Sequence, residues 1–335
     1  MSSERTARSP GVPGDARRPT ERSFSLFHRY GTELTLGAVL LLFVVVLSLT
    51  SPVFLTQGNL SNLVKQASTN GIIALGAAVV IISGGIDLSV GSVVGLSGIV
   101  AAIVMVGGVN PLLACFAGLL AAAGVGLVNA AMIYEGRIPP FIATLATMTM
   151  ARGLVKLVTD ARTVSGLPDS FLGFGEASYF GLPSEFCVWM VLAAGVSGVL
   201  TRTRFGRNTY AVGASQEVAR LSGIDLRSTI YAVYVVGALM AGVAGLVLTA
   251  RVRMAAPTAG MSYELYAIAA AVVGGVSLAG AQGSILGVIL GTLIMTTITN
   301  GGNLLGIDAF TLEIAVGALI ALAVWLDRLR IRGMR

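Results

Sequence analysis

The sequence predicts an all-α polytopic membrane protein with about ten, and not fewer than eight, transmembrane helices, some of them interrupted. Of its 335 residues, 55% are hydrophobic and only 11% are charged, whereas a soluble domain carries about 25% charged residues. Apolar runs close to the roughly 20 residues that a spanning helix needs recur along nearly the whole chain. The 43 glycines are typical of helices that pack closely inside a membrane.

The chain begins with a polar stretch, residues 1–32, that is rich in Arg, Ser and Pro and holds the one histidine, His28. The first apolar run starts only near Leu34, which is too late for a typical cleaved signal peptide. We therefore expect residues 1–32 to be a disordered cytoplasmic tail and residues 33–327 to form a transmembrane domain. Residues 328–335 are expected to form a second, basic cytoplasmic tail.

Ten apolar segments are candidate spans. In chain order they are 34–54, 67–83, 90–107, 111–134, 140–158, 186–201, 228–250, 263–280, 284–300 and 310–326. Several are short, so an alternative with eight full crossings and re-entrant hairpins stays open.

Charged residues predict the orientation of the spans. Loop 202–227 holds five arginines against two acidic residues, whereas loop 159–185 holds four acidic residues against one arginine. Cytoplasmic loops carry an excess of Lys and Arg, so both termini and loop 202–227 are placed in the cytoplasm and loop 159–185 outside. Arg251 and Arg253 fall outside in this scheme, as an exception.

The stretch Ser-Gly-Gly-Ile-Asp-Leu-Ser-Val-Gly-Ser at residues 83–92 interrupts two apolar runs. An unpaired backbone amide in hydrocarbon costs several kcal/mol, and a carboxylate at a helix centre costs about 2.5–3.5 kcal/mol on insertion scales. The sequence therefore predicts a discontinuous span beside a polar pathway, with Gly84, Gly85, Asp87 and Ser89 at the break. In a simpler alternative, Asp87 or Ser89 only caps the next helix.

A weak echo of this stretch occurs later in the chain. Residues 84–88 are matched by Gly-Gly-Val-Ser-Leu at residues 274–278, so Gly274, Gly275 and Ser277 are predicted to form a second break. Paired interrupted segments mark the pathway in many transporters, although a chance echo in glycine-rich sequence is an equal alternative. Ser277 stands where the first copy has Asp87, so the two halves would differ chemically.

Other polar residues lie within or beside the spans, namely Asn70, Asn129, Asn300, Asn303, Thr144, Thr147 and Thr149. Hydrogen bonds between helices are the common use of such side chains. Asn70 and Asn303 are grouped with the two breaks as candidate pathway residues.

Loop 202–227 contains a predicted short amphipathic helix. Ser215 can cap its start, Glu217 lies in its first turn and Gly223 can end it. Val218 and Leu221 form an apolar stripe beside Arg220. Such a helix either lies on the membrane surface or docks in a groove of a soluble partner.

Several kinds of chemistry are missing from the sequence. No G-x-x-x-x-G-K-[ST] phosphate loop occurs, so we expect no P-loop ATP hydrolysis by this chain. No nucleophile elbow or HExxH motif occurs either, and no catalytic residue, metal site or cofactor is expected. Cys115 and Cys187 are interpreted as packing residues. The net charge of +6 is explained by cytoplasmic loops and not by nucleic-acid binding.

These motifs together resemble the permease subunit of ribose-type ATP-binding-cassette (ABC) sugar importers. The matching segments are 84–92, 138–145, 152–153, 165–168, 204–213, 220–224, 257–260, 263–265, 274–280 and 300–306. The resemblance runs from about residue 54 to residue 326. One departure is Ala281-Gln282-Gly283, where the family leads us to expect Lys or Arg in the middle position.

The resemblance implies a multi-pass protein of the bacterial inner or plasma membrane that carries a monosaccharide such as ribose, xylose or galactose. It implies a second permease subunit, forming a homodimer, and an extracytoplasmic sugar-binding protein facing loop 159–185. It also implies a separate cytoplasmic ATPase docked on loop 202–227, through Arg207, Ser215, Glu217, Val218, Arg220, Leu221 and Gly223.

Three alternatives remain at this point. An ion-coupled secondary transporter would need a titratable pathway residue, for which Asp87 and Glu313 are the candidates. A receptor or scaffold is disfavoured by the interrupted spans. Within the ABC importers, a branched-chain amino-acid permease is the second substrate class.

Overall fold

Helices make up most of the part of the chain that the computed structural model describes, residues 19–179 and 181–333. Side chains are described between residues 31 and 325, except 180 and 323. The helices are α1 Pro19–Thr50, α2 Gln57–Ile82, α3 Val90–Val106, α4 Pro111–Tyr134, α5 Pro140–Thr159, α6 Asp169–Glu176, α7 Ser184–Arg202, α8 Arg204–Ala214, α9 Gln216–Leu221, α10 Leu226–Val252, α11 Tyr263–Val273, α12 Ile285–Leu304 and α13 Ala309–Gly333. Residues 1–18 of the expected N-terminal tail and residues 334–335 of the C-terminal tail lie outside the described residues.

Each predicted span corresponds to a helix, which confirms the all-α polytopic fold. Seven described helices are long and apolar enough to cross a membrane: α1 from Gly31 onward, α2, α4, α5, α7, α10 and α12. The apolar helices α3, α11 and the first part of α13, Ala309–Leu322, are shorter. Some of the ten segments therefore need not cross the bilayer completely.

The central helix is α2, which contacts α7, α10, α11 and α12. Every residue from 71 to 82 is buried, as expected for a helix that is apolar on all sides. The helix begins ten residues before the predicted span, because Thr56 caps it by accepting a hydrogen bond from the Asn59 amide. Its polar first turns therefore belong to the same helix as the buried apolar run.

Exposed ion pairs show which loops share an end of the bundle. Arg227 at the start of α10 pairs with Glu135 after α4 at 2.7 Å. Arg253, just after α10, pairs with Glu176 at the end of α6. Loop 159–185 and the Arg253 turn thus lie at the end opposite α8 and α9, which agrees with the alternation that the loop charges predict.

Loop 159–185 contains α6 and a two-stranded antiparallel hairpin, β1 Ser178–Tyr179 and β2 Leu182–Pro183. Glu185 does not contribute to an acidic loop surface, because it lies fully buried in the first turn of α7 with its carboxylate 4.0 Å from Lys65 Nζ.

The chain after α10 turns back into the bundle. A Cβ atom at Gly91, in the first turn of α3, would lie 2.5 Å from Gly260 O, so residues near 260 run directly against α3. The next helix, α11, has 11 residues and is about 16 Å long, half the thickness of a hydrocarbon core. It ends at Val273 rather than near residue 280, because Gly274 and Gly275 follow.

Candidate functional site

The first helix break is built on a glycine in the left-handed region. After Ile82, Gly84 has a φ of +83°, the Gly84 amide donates to Ile81 O and the Gly85 amide donates to Val80 O. This is the hydrogen-bond pattern of a helix that ends with glycine at C′, where other residues would be strained. The next helix, α3, begins only at Val90.

Asp87 lies inside this break at the end of a buried hydrogen-bonded chain. Its Oδ1 accepts bonds from the Ser89 amide at 2.8 Å and from the Ser89 hydroxyl at 2.6 Å. The Asn129 amide group donates to Ser89 Oγ at 2.9 Å, and Thr147 donates to Asn129 Oδ1 at 2.6 Å. The chain joins the break to α4 and α5.

The burial of Asp87 decides what this carboxylate can do. Only 2% of the residue is exposed, and Oδ2 has no partner among the described residues. Ser89 precedes α3, but its side chain makes no capping bond to that helix. Asp87 is therefore buried within the described chain and bonds to the Ser89 amide just before α3.

The second break repeats the first with a shift of one residue. Gly275 has a φ of +87°, and the Val276 amide donates to Ala271 O, as the Gly85 amide does to Val80 O. The helix ends therefore align Gly275, and not Gly274, with Gly84. Ser277 Oγ accepts a bond from the Ala279 amide, just as Asp87 accepts one from Ser89. The spacing from the left-handed glycine to the side chain that accepts the amide is thus one residue shorter in the second break than in the first.

The two breaks touch each other and the end of α8. The Ala281 amide donates to Ile82 O at 2.8 Å. A Cβ atom at Gly213 of α8 would overlap Ile82 O and would lie 2.8 Å from the Ala281 nitrogen. Tyr210, one turn earlier in α8, donates to Gly283 O at 2.9 Å. We call this meeting of Gly213 with the two breaks the glycine junction.

Helix α9 presents an unpartnered apolar face next to that junction. Ser215 caps it by accepting a bond from the Val218 amide, and Gly223 follows it with a φ of +78°. Val218 is 61% and Leu221 73% exposed. Arg207 in α8 is exposed as well.

A surface ion pair flanks this face. Arg220 bonds to Glu217 at 2.8 Å, and this hydrogen bond keeps the pKa of the Glu217 carboxyl below its usual value.

Asn70 and Asn303 do not lie at the breaks but come together in another place. They line a cleft of about 220 Å³ between α2, α11, α12 and α13. We call it the polar cleft; its lining residues are Gln66, Asn70, Tyr263, Tyr266, Thr299, Asn303, Ala309, Leu312 and Glu313. Sequence reasoning selected Asn70 and Asn303 for the pathway and Glu313 as a titratable group, and it missed the other residues.

A signal for the missed residues was present in their spacing. Gln66 and Asn70 are four residues apart, as are Thr299 and Asn303, while Tyr263 and Tyr266 are three apart. Residues at these spacings share one face of a helix. Three helices therefore each place a pair of hydrogen-bonding side chains toward one cleft.

Arg152 marks a second polar surface that was not selected as a site. From α5 it donates to Ala259 O at 2.9 Å and to Gly260 O at 2.8 Å. The residue is only partly buried, and Thr149 and Lys156 beside it on α5 are exposed. A charged group within a spanning helix must meet protein or water and not lipid. Water or another protein surface would be a suitable neighbour for this face of α5.

Metal binding and disulfide formation find no support in the part of the chain that the structure describes. No group of three or more His, Cys, Asp or Glu residues there could hold a metal ion. Cys115 and Cys187 are free, half-buried thiols.

Comparison with known proteins places this geometry in a context. Residues 59–325 match the model of a family described as branched-chain amino acid transport system, permease component. The chain is 44% identical over 306 residues to the ribose import permease protein of Bacillus subtilis, with 90% of this chain and 95% of that protein covered.

Two further relatives come from Escherichia coli. The D-allose transport system permease protein is 38% identical, covering 95% of this chain and 97% of its own length. The L-arabinose transport system permease protein is 35% identical, covering 85% and 87%. No solved structure matches the chain.

Proposed function

The chain belongs to the family of branched-chain amino acid transport system permease components, and we propose that it is the membrane-spanning permease of an ABC importer for a neutral monosaccharide. One observation carries the proposal. Relatives that match nearly the whole chain at 35–44% identity are permease proteins for three different monosaccharides, ribose, D-allose and L-arabinose. As a member of this family with multiple apolar helices, the protein belongs in the bacterial inner membrane.

The energy source in this proposal is a separate cytoplasmic ATPase docked on α8 and α9. Val218 and Leu221 are the proposed anchors, because buried apolar residues at the centre of an interface carry most of its energy. Glu217, Arg220 and Arg207 surround them and would set the register. The glycine junction supports this arrangement, since the end of α8 touches both helix breaks through backbone atoms.

A second copy of the chain is proposed to cover the polar face of α5. Arg152, Thr149 and Lys156 lie on a helix apolar enough to span the membrane, and lipid would be a costly neighbour for them. Two α5 faces turned toward each other would enclose water between the subunits. This supports a homodimer in which the two α5 helices face each other across the two-fold axis.

The sugar-binding protein is proposed to dock at the end of the bundle formed by loop 159–185. A pocket of about 540 Å³ opens there between the start of α2 and the β-hairpin. Lys65 and Glu176 line it. The lining of this pocket thus includes one side chain of each charge.

Uptake by the assembled system tests the proposal. The chain should be expressed with the ATPase and the binding protein encoded beside its gene, in cells that lack other importers for the sugars. ATP-dependent uptake of labelled D-ribose, D-allose or L-arabinose is expected, and it should vanish when either partner is left out. Uptake of none of these sugars by a complete, assembled complex would refute the assignment.

A branched-chain amino acid is the second candidate substrate, because the family description names that class. Labelled L-leucine is therefore the competing probe in the same assay. Import of L-leucine without import of any sugar would favour this second candidate.

A further inference from the structure

We propose that the polar cleft is a binding subsite for a single neutral monosaccharide on its way through the permease. The proposal rests on the proposed sugar import and adds to it a location within the membrane domain. The cleft of about 220 Å³ is bounded by four helices, two of which, α2 and α12, are long enough to span the membrane.

Three carboxamide side chains line the cleft without partners in the part of the chain that the structure describes. The side chains of Gln66, Asn70 and Asn303 make no hydrogen bond to any described residue. Elsewhere in the domain such groups are paired: Asn59 and Asn300 exchange two hydrogen bonds, at 2.9 and 3.1 Å. Unpaired amides within a membrane domain take their partners from water or from a ligand.

The carboxamides and tyrosine rings of the cleft match the chemistry of a sugar. Each carboxamide both donates and accepts hydrogen bonds, as each sugar hydroxyl does. Tyr263 and Tyr266 add two aromatic rings one turn apart on α11, and such rings combine a large apolar surface with a polar tip. The cleft therefore offers an apolar surface for the carbon–hydrogen face of a sugar ring and amides for its edge.

The charge of the cleft favours a neutral ligand over an anionic one. Glu313 is the one charged residue that lines the cleft, and a carboxylate repels an anionic group. A sugar phosphate would thus be disfavoured, whereas Glu313 can accept hydrogen bonds from sugar hydroxyls.

The cleft lies at a depth that suits a transport subsite. Asn70 is 13 residues from the start of α2, about 20 Å along the helix axis. The start of α2 is extracytoplasmic in the orientation that the charges predict. Tyr263 begins α11, whose other end enters the second break beside α8. A sugar in the cleft would contact one end of a half-length helix whose other end leads into the second break, which meets Gly213 at residues 280 and 281.

Protection of an introduced cysteine tests the subsite directly. In the complete complex in lipid nanodiscs, Cys115→Ala and Cys187→Ala remove the native thiols, and Ala309→Cys places one thiol in the cleft without removing a polar group. A methanethiosulfonate reagent then labels it. A transport subsite must release its cargo, so binding should be weak. We expect labelling to slow about tenfold when D-ribose or D-allose stands at ten times its Kd.

Matched variants separate binding from general structure. Gln66→Leu and Asn70→Leu should abolish the protection by sugar, while assembly with the ATPase and the gel-filtration profile stay unchanged. Thr69→Val removes a hydroxyl that bonds to Lys65 O on the same helix and lies outside the cleft, and it should leave protection intact. A thiol at Val109→Cys, in the exposed turn between α3 and α4, should be labelled at the same rate with and without sugar.

The outcomes distinguish this inference from the proposed function. If the complex imports sugar but about 100 mM of each tested sugar, well above a millimolar Kd, leaves Ala309→Cys labelling unchanged, the subsite is wrong and the proposed function stands. If L-leucine is imported and protects the thiol while sugars do neither, both are wrong. Protection that survives Gln66→Leu and Asn70→Leu together would also overturn the subsite.

Discussion

Asp87 combines features that seldom occur together in a membrane domain: a carboxylate, nearly complete burial and a chain of hydrogen bonds. Asp87 Oδ1 accepts hydrogen bonds from both the amide and the hydroxyl of Ser89. For the Ser89 amide, the carboxylate replaces the backbone carbonyl that would accept this bond in a continuous helix. Asn129 and Thr147 continue the chain into α4 and α5. Its role is thus to hold the break in one shape against two neighbouring helices.

Two substitutions at Asp87 test whether this role is structural. Asp87→Asn keeps an acceptor oxygen for Ser89, so most of the uptake should remain. Asp87→Leu leaves the buried amide and hydroxyl of Ser89 without an acceptor, at a cost of about 1–3 kcal/mol, and uptake should be lost. Uptake of labelled sugar by the complex, with the melting temperature of each variant, provides the measurement.

The same pair separates a structural role from proton coupling. If Asp87 exchanged protons with the solution during transport, Asn would abolish uptake as completely as Leu does. Equal loss in the two variants, with both complexes fully assembled, would contradict the structural role.

The sequence pointed to Asp87, but it did not point to the residues of α4 and α5 in its hydrogen-bonded chain. Asp87 stands out because a carboxylate between two apolar runs is costly. Asn129 and Thr147 lie 42 and 60 residues further on, and nothing in the local pattern links them to the break. Only the packing of α3 between α4 and α5 brings them together.

Among the elements, α8 is notable for touching both breaks with backbone atoms. The Gly213 position has no room for a Cβ atom, because Ile82 O already occupies that space. A displacement of α8 by a docked ATPase would therefore move the end of α2 and the second break together. Side chains, with their rotamer freedom, would transmit such a displacement less directly.

Gly213→Ala should accordingly uncouple transport. The added methyl group forces α8 away from the breaks, and overpacking of this kind costs about 1–3 kcal/mol. We expect ATP hydrolysis by the assembled complex to continue while the sugar imported per ATP falls about tenfold. Gly198→Ala in α7 is the matched control, because no atom lies within 4 Å of its Cβ position. An unchanged ratio of sugar to ATP in Gly213→Ala would show that the junction does not carry the coupling.

The docking of α9 gives a second prediction for this region. Leu221→Asp places an unpaired charge at the centre of the proposed interface, where uncompensated burial is strongly unfavourable. The variant should insert and dimerise normally, since Leu221 is 73% exposed in the isolated chain, yet it should fail to co-purify with the ATPase and fail to transport.

Arg220→Ala provides the control for Leu221→Asp. It removes only a flanking charge in an exposed ion pair, so it should weaken association far less. Full ATPase association and sugar uptake by Leu221→Asp would mean that α9 is only a membrane-surface helix.

Element boundaries followed from local chemistry where a cap was visible. Ser215 and Gly223 enclose α9 as their residue types suggest, because capping depends on neighbouring atoms alone. The end of α11 at Val273 was missed, since the apolar pattern continues through Val276 and Leu278. The one-residue offset between the two breaks was also missed. The sequence aligns the glycine pair 84–85 with the pair 274–275, whereas the hydrogen bonds of the helix ends align Gly84 with Gly275.

Across the whole molecule, composition predicted the fold class and the resemblance predicted the family. The helices that enclose a polar cleft could not be predicted from the sequence. Apolar runs identify helices one at a time, but they do not say which helices meet. The polar cleft joins residues from Gln66 to Glu313, and the Arg152 face joins α5 to the segment near Gly260. Both surfaces exist only once the helices are packed.

The molecule as a whole also predicts that ATP hydrolysis belongs to a partner. The chain contains two lysines, Lys65 and Lys156, and neither follows the glycine pattern of a phosphate loop. Lys65 donates to Gly175 O at the end of α6, and Lys156 lies in the last turn of α5. Both are therefore at the end of the bundle opposite α8 and α9, away from cytoplasmic nucleotide in the predicted orientation.

The purified chain should consequently hydrolyse no ATP, with or without D-ribose. A coupled assay for released phosphate, run on the chain in nanodiscs before and after addition of the ATPase subunit, measures this. Activity should appear only with that subunit, and it should be lost when the phosphate-loop lysine of the subunit is replaced. Sustained hydrolysis by the chain alone, persisting after contaminating ATPases are inhibited, would contradict the division of labour between a permease and a separate ATPase.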